Sequence, residues 1–463
     1  MNDYEKRLAR YQATCRLETP DRLPIGATGS NYYAEIYAGY SKQETIYESD
    51  KLIDAQVKFC EDFPEVDVLR AGGRVWGPLL DSVGANFYKL PGKELSPNTQ
   101  FQYIEEERMK ADEYDFFMDN PVEFFMDRIL PRTLDDYDRS GSTRSYITFL
   151  KGGMAFMDKL KLNAQIAQTL ENKCGMPQPF KGGFLAPFDF LADGLRGLNG
   201  IMMDLFRRPD KVKEACDWLV PQTVRTALMG ADPERKFPIF VPLHRGNTPF
   251  LSPKQFENFY WPSLKKTLQI LIDAGYQVRC YLEGDWSYNW HHFRELPKGS
   301  VICDIDNQGD IFKAYKDLGG HQCIAGGVHD NIFILSSPEE VKEKVKTLCE
   351  KIGQDGGLLI TGGCAFPYDT KPENFKAYID TMKAYATIDE NKKLEVKSPA
   401  PPSKDIKSIL ADYGYTNLDK TVITPWEVKK EEIGDILGDE EPIKNAWEKY
   451  ETIAYHWLWS WTW

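Results

Sequence analysis

The most regular stretch of the chain is residues 300–361, SVICDIDNQGDIFKAYKDLGGHQCIAGGVHDNIFILSSPEEVKEKVKTLCEKIGQDGGLLIT. Three short runs in it, 300–305, 322–328 and 357–361, are almost continuously apolar, as expected of strands buried on both faces. The second helical stretch between them begins at Ser337, an N-cap residue followed by Pro338 and two glutamates. Repeated strand, helix and strand units predict a parallel sheet with right-handed crossovers.

Similar apolar runs continue this pattern toward the N-terminus. Two lie directly upstream, at 237–243 (FPIFVPL) and 277–282 (QVRCYL). Three earlier candidates are 22–27 (RLPIGA), 66–71 (VDVLRA) and 180–185 (FKGGFL). Eight strands alternating with helices predict an α/β protein with a (β/α)8 TIM barrel, although the strand count alone also permits a doubly wound open sheet.

The intervals between these runs predict the domain organisation. Residues 72–178 are too many for one loop, so we expect inserted helices that cover the barrel mouth. The barrel is predicted to span residues 1–395, and residues 396–463 form a helical extension that ends in HWLWSWTW. This aromatic tail is expected to dock on the barrel or on a neighbouring subunit, in preference to forming a lid over the site, so a homodimer is one predicted assembly.

Composition excludes several classes of function. The chain has 463 residues, 42% of them hydrophobic, and 57 Lys plus Arg against 70 Asp plus Glu, a net charge of −13. It lacks the broad basic surface that nucleic acid requires. Nine cysteines without a CxxC pair, a charged N-terminal segment and no apolar stretch of about 18 residues favour a cytoplasmic protein outside the membrane.

Chemically capable side chains cluster where the predicted strands end. In a barrel of this kind the carboxyl ends of the strands form the active-site rim. His, Glu, Asp and Cys are the ligand types of a catalytic zinc ion, so their convergence predicts a metal site. The candidates, in chain order, are His244, Glu283, Asp304, Asp306, His329 and Cys364.

The local sequence separates these candidates. Cys364 follows two glycines, where a bent backbone presents the side chain, whereas the cysteines inside apolar runs are expected to be inert core residues. Glu283 ends an apolar run, so a partner for its carboxylate is expected. Asp304 and Asp306 share one face of their strand and either point inward or pair with Lys and Arg. His244 either lines the site or bonds a backbone carbonyl.

Three longer segments resemble one known family. They are residues 185–217 (LAPFDFLADGLRGLNGIMMDLFRRPDKVKEACD), 252–276 (SPKQFENFYWPSLKKTLQILIDAGY) and 361–385 (TGGCAFPYDTKPENFKAYIDTMKAY). In this order they are similar to segments of the uroporphyrinogen decarboxylase superfamily, and the resemblance covers most of residues 20–390. It implies the (β/α)8 barrel in place of the open sheet.

Two branches of that superfamily differ in the N-terminal segment. True decarboxylases carry an arginine-rich stretch that holds the substrate carboxylates, whereas this chain has ATGSNYYAEIYAG at 27–39, without arginine. The resemblance therefore favours the corrinoid-dependent methyltransferases, several of which bind zinc through His-x-Cys after strand five and Cys after strand eight. Cys364 matches the distal cysteine, while Tyr281 and Glu283 replace the other pair.

The resemblance implies a function and a set of roles. We expect a zinc-dependent methyltransferase that moves a methyl group from an aryl methyl ether to the cob(I)amide of a separate corrinoid protein. The alternatives are a cofactor-free decarboxylase that uses Asp304 or Asp306 as its acid, and a corrinoid or tetrapyrrole binding module without chemistry. The expected roles are zinc ligation by Glu283, His329 and Cys364, ligation or acid catalysis by His244, support or substrate contact by Asp304 and Asp306, and an aromatic pocket near Tyr281, Trp286, Tyr32 and Tyr33.

Overall fold

A parallel sheet of five strands, in the order β4, β5, β6, β7 and β8, is the centre of the fold. The computed structural model describes residues 1–26, 30–363, 365–416 and 423–460. The strands in chain order are β1 (Ser30–Asn31), β2 (Tyr88–Lys89), β3 (Gln102–Tyr103), β4 (Ile239–Leu243), β5 (Val278–Leu282), β6 (Val301–Ile305), β7 (Cys323–Gly327), β8 (Leu358–Thr361) and β9 (Ala365–Phe366). Two short pairs, β1 with β9 and β2 with β3, lie outside this sheet.

The five regular strands confirm the five downstream apolar runs to within two residues at each end. Every residue of β5, β6 and β8 is buried, which explains why their sequences are apolar at nearly every position rather than at alternate ones, with Arg279 and Asp304 as the charged exceptions. The predicted helix start is also confirmed: the hydroxyl of Ser337 accepts the backbone N–H of Glu340, whose carboxylate accepts the N–H of Ser337.

The three upstream runs pair at single positions instead of forming ladders. Gly26 pairs in parallel with Val68, and Gly183 pairs in parallel with Phe240 of β4. Pro24 has no N–H to contribute to the first run, and two adjacent glycines weaken the third. These segments therefore hold the positions of strands without the regular hydrogen bonding of strands.

Further hydrogen bonds link the remaining neighbours among the eight strand segments and close the barrel. The N–H of Leu69 in the second run donates to the carbonyl of Pro177 at 3.1 Å, three residues before the third run begins. The hydroxyl of Tyr378 donates to the carbonyl of Ile360 in β8 at 2.7 Å and accepts the N–H of Gly26 at 3.4 Å. The last strand thus meets the first, which confirms the (β/α)8 barrel and excludes the open sheet.

Helices surround the barrel and fill its connections. Upstream of the sheet they are α1 (Asp3–Cys15), α2 (Tyr33–Tyr37), α3 (Lys42–Tyr47), α4 (Ser49–Asp62), α5 (Gly77–Ser82), α6 (Tyr114–Asp119), α7 (Pro121–Phe124), α8 (Leu130–Thr133), α9 (Thr143–Cys174), α10 (Pro187–Asp189), α11 (Gly197–Arg207) and α12 (Pro209–Met229). Farther along they are α13 (Pro253–Gln255), α14 (Trp261–Asp273), α15 (Ile311–Leu318), α16 (Asp330–Leu335), α17 (Pro338–Ile352), α18 (Pro372–Tyr385), α19 (Ile406–Asp412), α20 (Trp426–Ile433) and α21 (Glu441–Ser460). Within the described ranges, none of these helices combines the length and apolar character that a membrane span needs.

The predicted insertion at 72–178 divides into two parts. Helix α9 takes up its second half, packs against α4 and α5, and leads directly into the third strand segment. It therefore occupies the place of the barrel helix between the second and third strands, and the inserted part proper is shorter than we expected. That part contains α5 to α8 and the antiparallel pair of β2 with β3.

The tail helix α21 packs on α9 and α12 of the same chain. Trp457 is 3% exposed and lies so close to Gly152 of α9 that any side chain at that position would clash with its ring. Trp459 is 2% exposed and lies 5.0 Å from the ring of Phe125. The described part of the tail is thus docked on its own barrel.

Replacing Trp459 with alanine is expected to lower the free energy of unfolding by about 3–5 kcal/mol, because it empties a packed aromatic cluster. Urea denaturation followed by circular dichroism measures the change. The matched control is Tyr450→Ala on the same helix, where the side chain is exposed and a change within about 0.5 kcal/mol is expected. Equal losses in the two variants would contradict the docked position of Trp459.

Candidate active site

Three of the predicted side chains follow neighbouring strands at their carboxyl ends. His244 follows β4, Glu283 follows β5 and Asp306 follows β6. The Nε2 atom of His244 lies 3.7 Å from Oε2 of Glu283, whose side chain is 53% exposed. The structure therefore brings His244 and Glu283 together at the open end of the barrel, where active sites of this architecture lie.

Two carboxylates that the sequence reasoning missed hold His244 in place. One oxygen of Asp193 lies 2.6 Å from Nδ1 of His244, and the other accepts Nε–H of Arg245 at 2.7 Å. Asp189 accepts the backbone N–H groups of His244 and Arg245, each at 3.0 Å, and the hydroxyl of Tyr260 at 2.6 Å. Backbone and ring are thus both fixed, and Nε2 is the ring atom on the side of Glu283.

A local irregularity of the helix presents these two carboxylates. Asp189 ends α10, and Asp193 lies in the π-helical turn Phe190–Arg196 that follows it. Residues four apart lie on one face of a helix, and π-helical turns are frequent at functional sites. The sequence signal was present in the FDFLAD stretch of 188–193, inside a segment that resembles the family.

Opposing charges in this buried cluster shift its titration. Burial lowers the pKa of His244, but the hydrogen bond and charge of Asp193, with the charges of Asp189 and Glu283, raise it to about 9. Burial raises the pKa of Asp189 to about 6. The charge of His244 lowers this pKa, and the charge of Asp193 raises it. Although burial opposes ionisation of Asp193, its bonds to His244 and Arg245 hold its pKa below the usual range. Without a metal ion the cluster is therefore an imidazolium held by a carboxylate, and zinc would displace the proton on Nε2.

Asp306 connects the ends of β5 and β6. One of its oxygens accepts the hydroxyl of Tyr281 at 2.5 Å, and the other accepts the backbone N–H of Gly284 at 2.9 Å. Gly284 has a φ of +85°, in the left-handed region that glycine adopts readily, and it directly follows Glu283. Asp306 and Tyr281 therefore position the loop that carries Glu283, and Tyr281 is 4% exposed rather than an open pocket wall.

Asp304 lies too deep for the substrate contact, or for the acid role of the decarboxylase alternative, that the sequence suggested. It is 0% exposed, and its Oδ2 accepts Nε–H and Nη2–H of Arg279 at 3.0 and 2.6 Å. Arg279 also donates to the hydroxyl of Tyr11 at 3.2 Å, and Tyr11 and Cys15 of α1 join the apolar side chains that close the barrel interior below. Strand alternation placed Asp304 on the inward face correctly, but its partner is a buried arginine.

The predicted aromatic pocket is corrected at two positions. Trp286 is 1% exposed and packs edge-on against Tyr260 with ring centroids 5.8 Å apart. Tyr33 is also 1% exposed and packs against Phe375 at 5.3 Å. Both rings are buried by neighbouring helices, because large apolar side chains gain free energy from such contacts. Tyr32 is half-buried and remains a candidate contact.

The expected zinc ligands are only partly brought together. His329 is exposed, and its Nδ1 accepts the backbone N–H of Asn331 at 3.0 Å as the N-cap of α16. Cys364 lies outside the described residues. In the parts of the chain that the structure describes, no group of three His, Cys, Asp or Glu side chains has the geometry to hold a metal ion. His244 and Glu283 are the two expected donors that lie close together. Asp193 occupies Nδ1 of His244 and leaves Nε2 available, which is the arrangement of zinc-bound histidines whose other ring nitrogen bonds a carboxylate.

A cavity of about 470 Å³ lies beside β4. Phe240 and Pro242 of β4 line it together with the third strand segment, α9 and the tail helix. No Asp or Glu stands among its described lining residues, which include five basic side chains, and we therefore name it the cationic cavity. The basic residues are Arg70, Arg74, Lys159, Lys181 and His456.

Comparisons with known proteins agree with this architecture. The family profile described as uroporphyrinogen decarboxylase matches residues 150–385. A solved methyltransferase from Methanosarcina mazei is 15% identical and superposes with a TM-score of 0.54, over 81% of this chain and 98% of that one. At this identity the likeness shows a shared fold. No curated protein matches the chain.

Proposed function

The chain belongs to the uroporphyrinogen decarboxylase family, and from this membership and the site geometry we propose that it is a methyltransferase. Its substrate is proposed to be an aryl methyl ether, and its acceptor the cob(I)amide of a separate corrinoid protein. The observation that carries the proposal is the fixed His244, which Asp193 holds on one side while Glu283 stands 3.7 Å away on the other.

The proposed reaction requires help at the ether oxygen. An aryl ether is a poor methyl donor because negative charge develops on the departing oxygen. In the reaction the bond from oxygen to the methyl carbon breaks, and that carbon forms a bond to cobalt with the electron pair of Co(I). The oxygen keeps the electron pair of the broken bond and takes a proton, which gives the phenol. His244, oriented by Asp193, is placed to donate at that oxygen or to hold a Lewis acid there.

Zinc is part of the proposal. Glu283, His244, His329 and Cys364 are the proposed donor set, of which the first two lie side by side. When bound, the ion would supply Lewis acidity for the ether oxygen. The chain itself supplies orientation, through the Asp193 contact to His244 and the Asp306 contact to the loop of Glu283.

Metal analysis tests the zinc proposal. The purified chain is expected to carry stoichiometric zinc, and a Glu283→Ala, Cys364→Ala double variant is expected to lose both the zinc and methyl transfer. Inductively coupled plasma mass spectrometry measures the metal. A zinc-free preparation whose methyl transfer withstands a chelator would contradict this donor set.

The function itself is tested with free cob(I)alamin as a surrogate acceptor. Methoxylated aromatics are added under anaerobic conditions, and we expect the Co(I) spectrum to be replaced by that of methylcobalamin while the phenol appears. Cobalamin that binds without reacting with any methyl donor would support a binding module instead.

One observation favours a second candidate, a decarboxylase. The cationic cavity has the charge that recognises carboxylate groups, although the N-terminal segment 27–39 lacks arginine. Release of CO2 from an aromatic acid, without cobalamin and without loss of a methyl group, would select this function over methyl transfer.

A further inference from the structure

We propose that the cationic cavity binds the carboxylate of the substrate, with Lys159 as its principal ligand, so that the methyl donor is a methoxylated aromatic acid. This inference rests on the proposed function for the methyl group but concerns a different part of the molecule. The proposed site selects the substrate by its carboxylate, a group that is separate from the methyl ether bond that breaks.

Lys159 is the first observation behind the inference. It lies on α9, half-buried, and its ammonium makes no hydrogen bond or ion pair with any residue in the described ranges. Lys181, by contrast, has a carboxylate, Asp232, at 3.9 Å and the ring of Phe237 at 4.4 Å. An ammonium that lines a cavity without a counter-ion is a candidate ligand for an anion.

The charges around Lys159 are the second observation. The chain carries a net charge of −13, yet the charged side chains that line this cavity among the described residues are all cations, namely Arg70, Arg74, Lys159 and Lys181. Burial, together with the charges of Arg74 and Arg70, lowers the pKa of Lys159 to about 8. Burial and the charge of Lys159 lower the pKa of His456 to about 4. A bound carboxylate would relieve this repulsion, because an opposite charge favours the ammonium form.

The walls of the cavity include two aromatic rings. Phe180 stacks on Phe240 with ring centroids 4.5 Å apart and planes inclined by 15°, and the guanidinium of Arg70 lies 5.3 Å above the Phe180 ring. The volume of about 470 Å³ lies within the range of small-molecule sites. Apolar faces beside a positive group recognise a benzoate-like ligand rather than a polyphosphate.

Strand β4 leads from the cavity toward the candidate active site. Phe240 and Pro242 line it, and residues two apart on a strand point to the same face. His244 is the next residue in this alternation, so the strand leads from the aromatic wall to the fixed imidazole. A ring anchored by its carboxylate near Lys159 therefore directs its far substituents toward His244.

Isothermal titration calorimetry on the full chain, without cobalamin, tests the inference. The probes are benzoate, 3,4-dimethoxybenzoate and its neutral counterpart 1,2-dimethoxybenzene. We expect both acids to bind more tightly than the neutral ether, and Lys159→Gln to weaken acid binding about 10- to 100-fold. The matched control is Lys161→Gln, two residues along α9, where the side chain is 71% exposed and no change in affinity is expected. Lys159→Met, which keeps the length without the charge, serves as the second variant, and melting curves verify that both are folded.

The outcomes separate this inference from the proposed function. Equal affinity for the acids and the neutral ether, or unchanged acid binding in both Lys159 variants, would overturn the carboxylate site. Efficient methyl transfer from the neutral ether in that case would leave the methyltransferase proposal standing. Acid binding that depends on Lys159, without methyl transfer from any ether, would support the anion site and reject the proposed reaction.

Discussion

Replacing His244 with alanine is expected to lower the rate of methyl transfer by about 10²- to 10⁴-fold, the range typical of a lost acid or base. The imidazole is the group that Asp193 and Asp189 hold from two directions, and it faces Glu283 at the barrel mouth. Its removal leaves the departing oxygen without a positioned proton donor and takes away one proposed ligand of the metal ion. The conversion of cob(I)alamin to methylcobalamin under saturating methyl donor measures the rate.

Two further variants define the role of His244. Asp193→Asn keeps a group of similar shape beside the ring but removes the charge that orients it, so we expect a smaller loss than in His244→Ala. His291→Ala serves as the control, because His291 is exposed on the 3₁₀ helix Trp290–Glu295 and lies outside the site. Retention of at least a tenth of the rate in His244→Ala would remove this residue from the reaction.

Replacing Asp304 with alanine is expected to lower the free energy of unfolding by about 3–5 kcal/mol. The change leaves the guanidinium of Arg279 charged and fully buried, with only the hydroxyl of Tyr11 as a remaining partner among the described side chains. Equilibrium denaturation in urea measures this loss. An Arg279→Met, Asp304→Leu double variant removes both charges and is expected to regain much of the stability. If the double variant were as unstable as Asp304→Ala, the unpaired charge would not be the cause.

The sheet was more predictable from sequence than the rest of the barrel because burial on both faces leaves a strong signal. The runs that became β4 to β8 are short and apolar, and their pairing follows from the order of the chain. The upstream segments gave a weaker signal, since proline and glycine there reduce regular pairing to single bridges at Gly26 and Gly183. Their positions were predictable, but their hydrogen bonding was not.

The candidate site was predictable only where it lies at a strand end. The rule that active sites lie at the carboxyl ends of the strands led to His244 and Glu283, which the structure brings together. Asp189 and Asp193 lie on a connection, and their contact with His244 depends on how that connection folds back over β4. The partner of Asp304 could not be named from the sequence, because Arg279 lies 25 residues away on the adjacent strand and the register of β5 with β6 brings the two together.

The docking of the tail helix has a consequence for how related proteins diverge. His456 of α21 lines the cationic cavity, and Trp457 beside it is anchored over Gly152 of α9. One wall of the proposed substrate site therefore comes from a helix that lies outside the barrel and supplies none of the reacting groups. Relatives that share the barrel and differ in this helix are expected to prefer different aromatic acids, so selectivity evolves in the tail while the reacting groups stay unchanged.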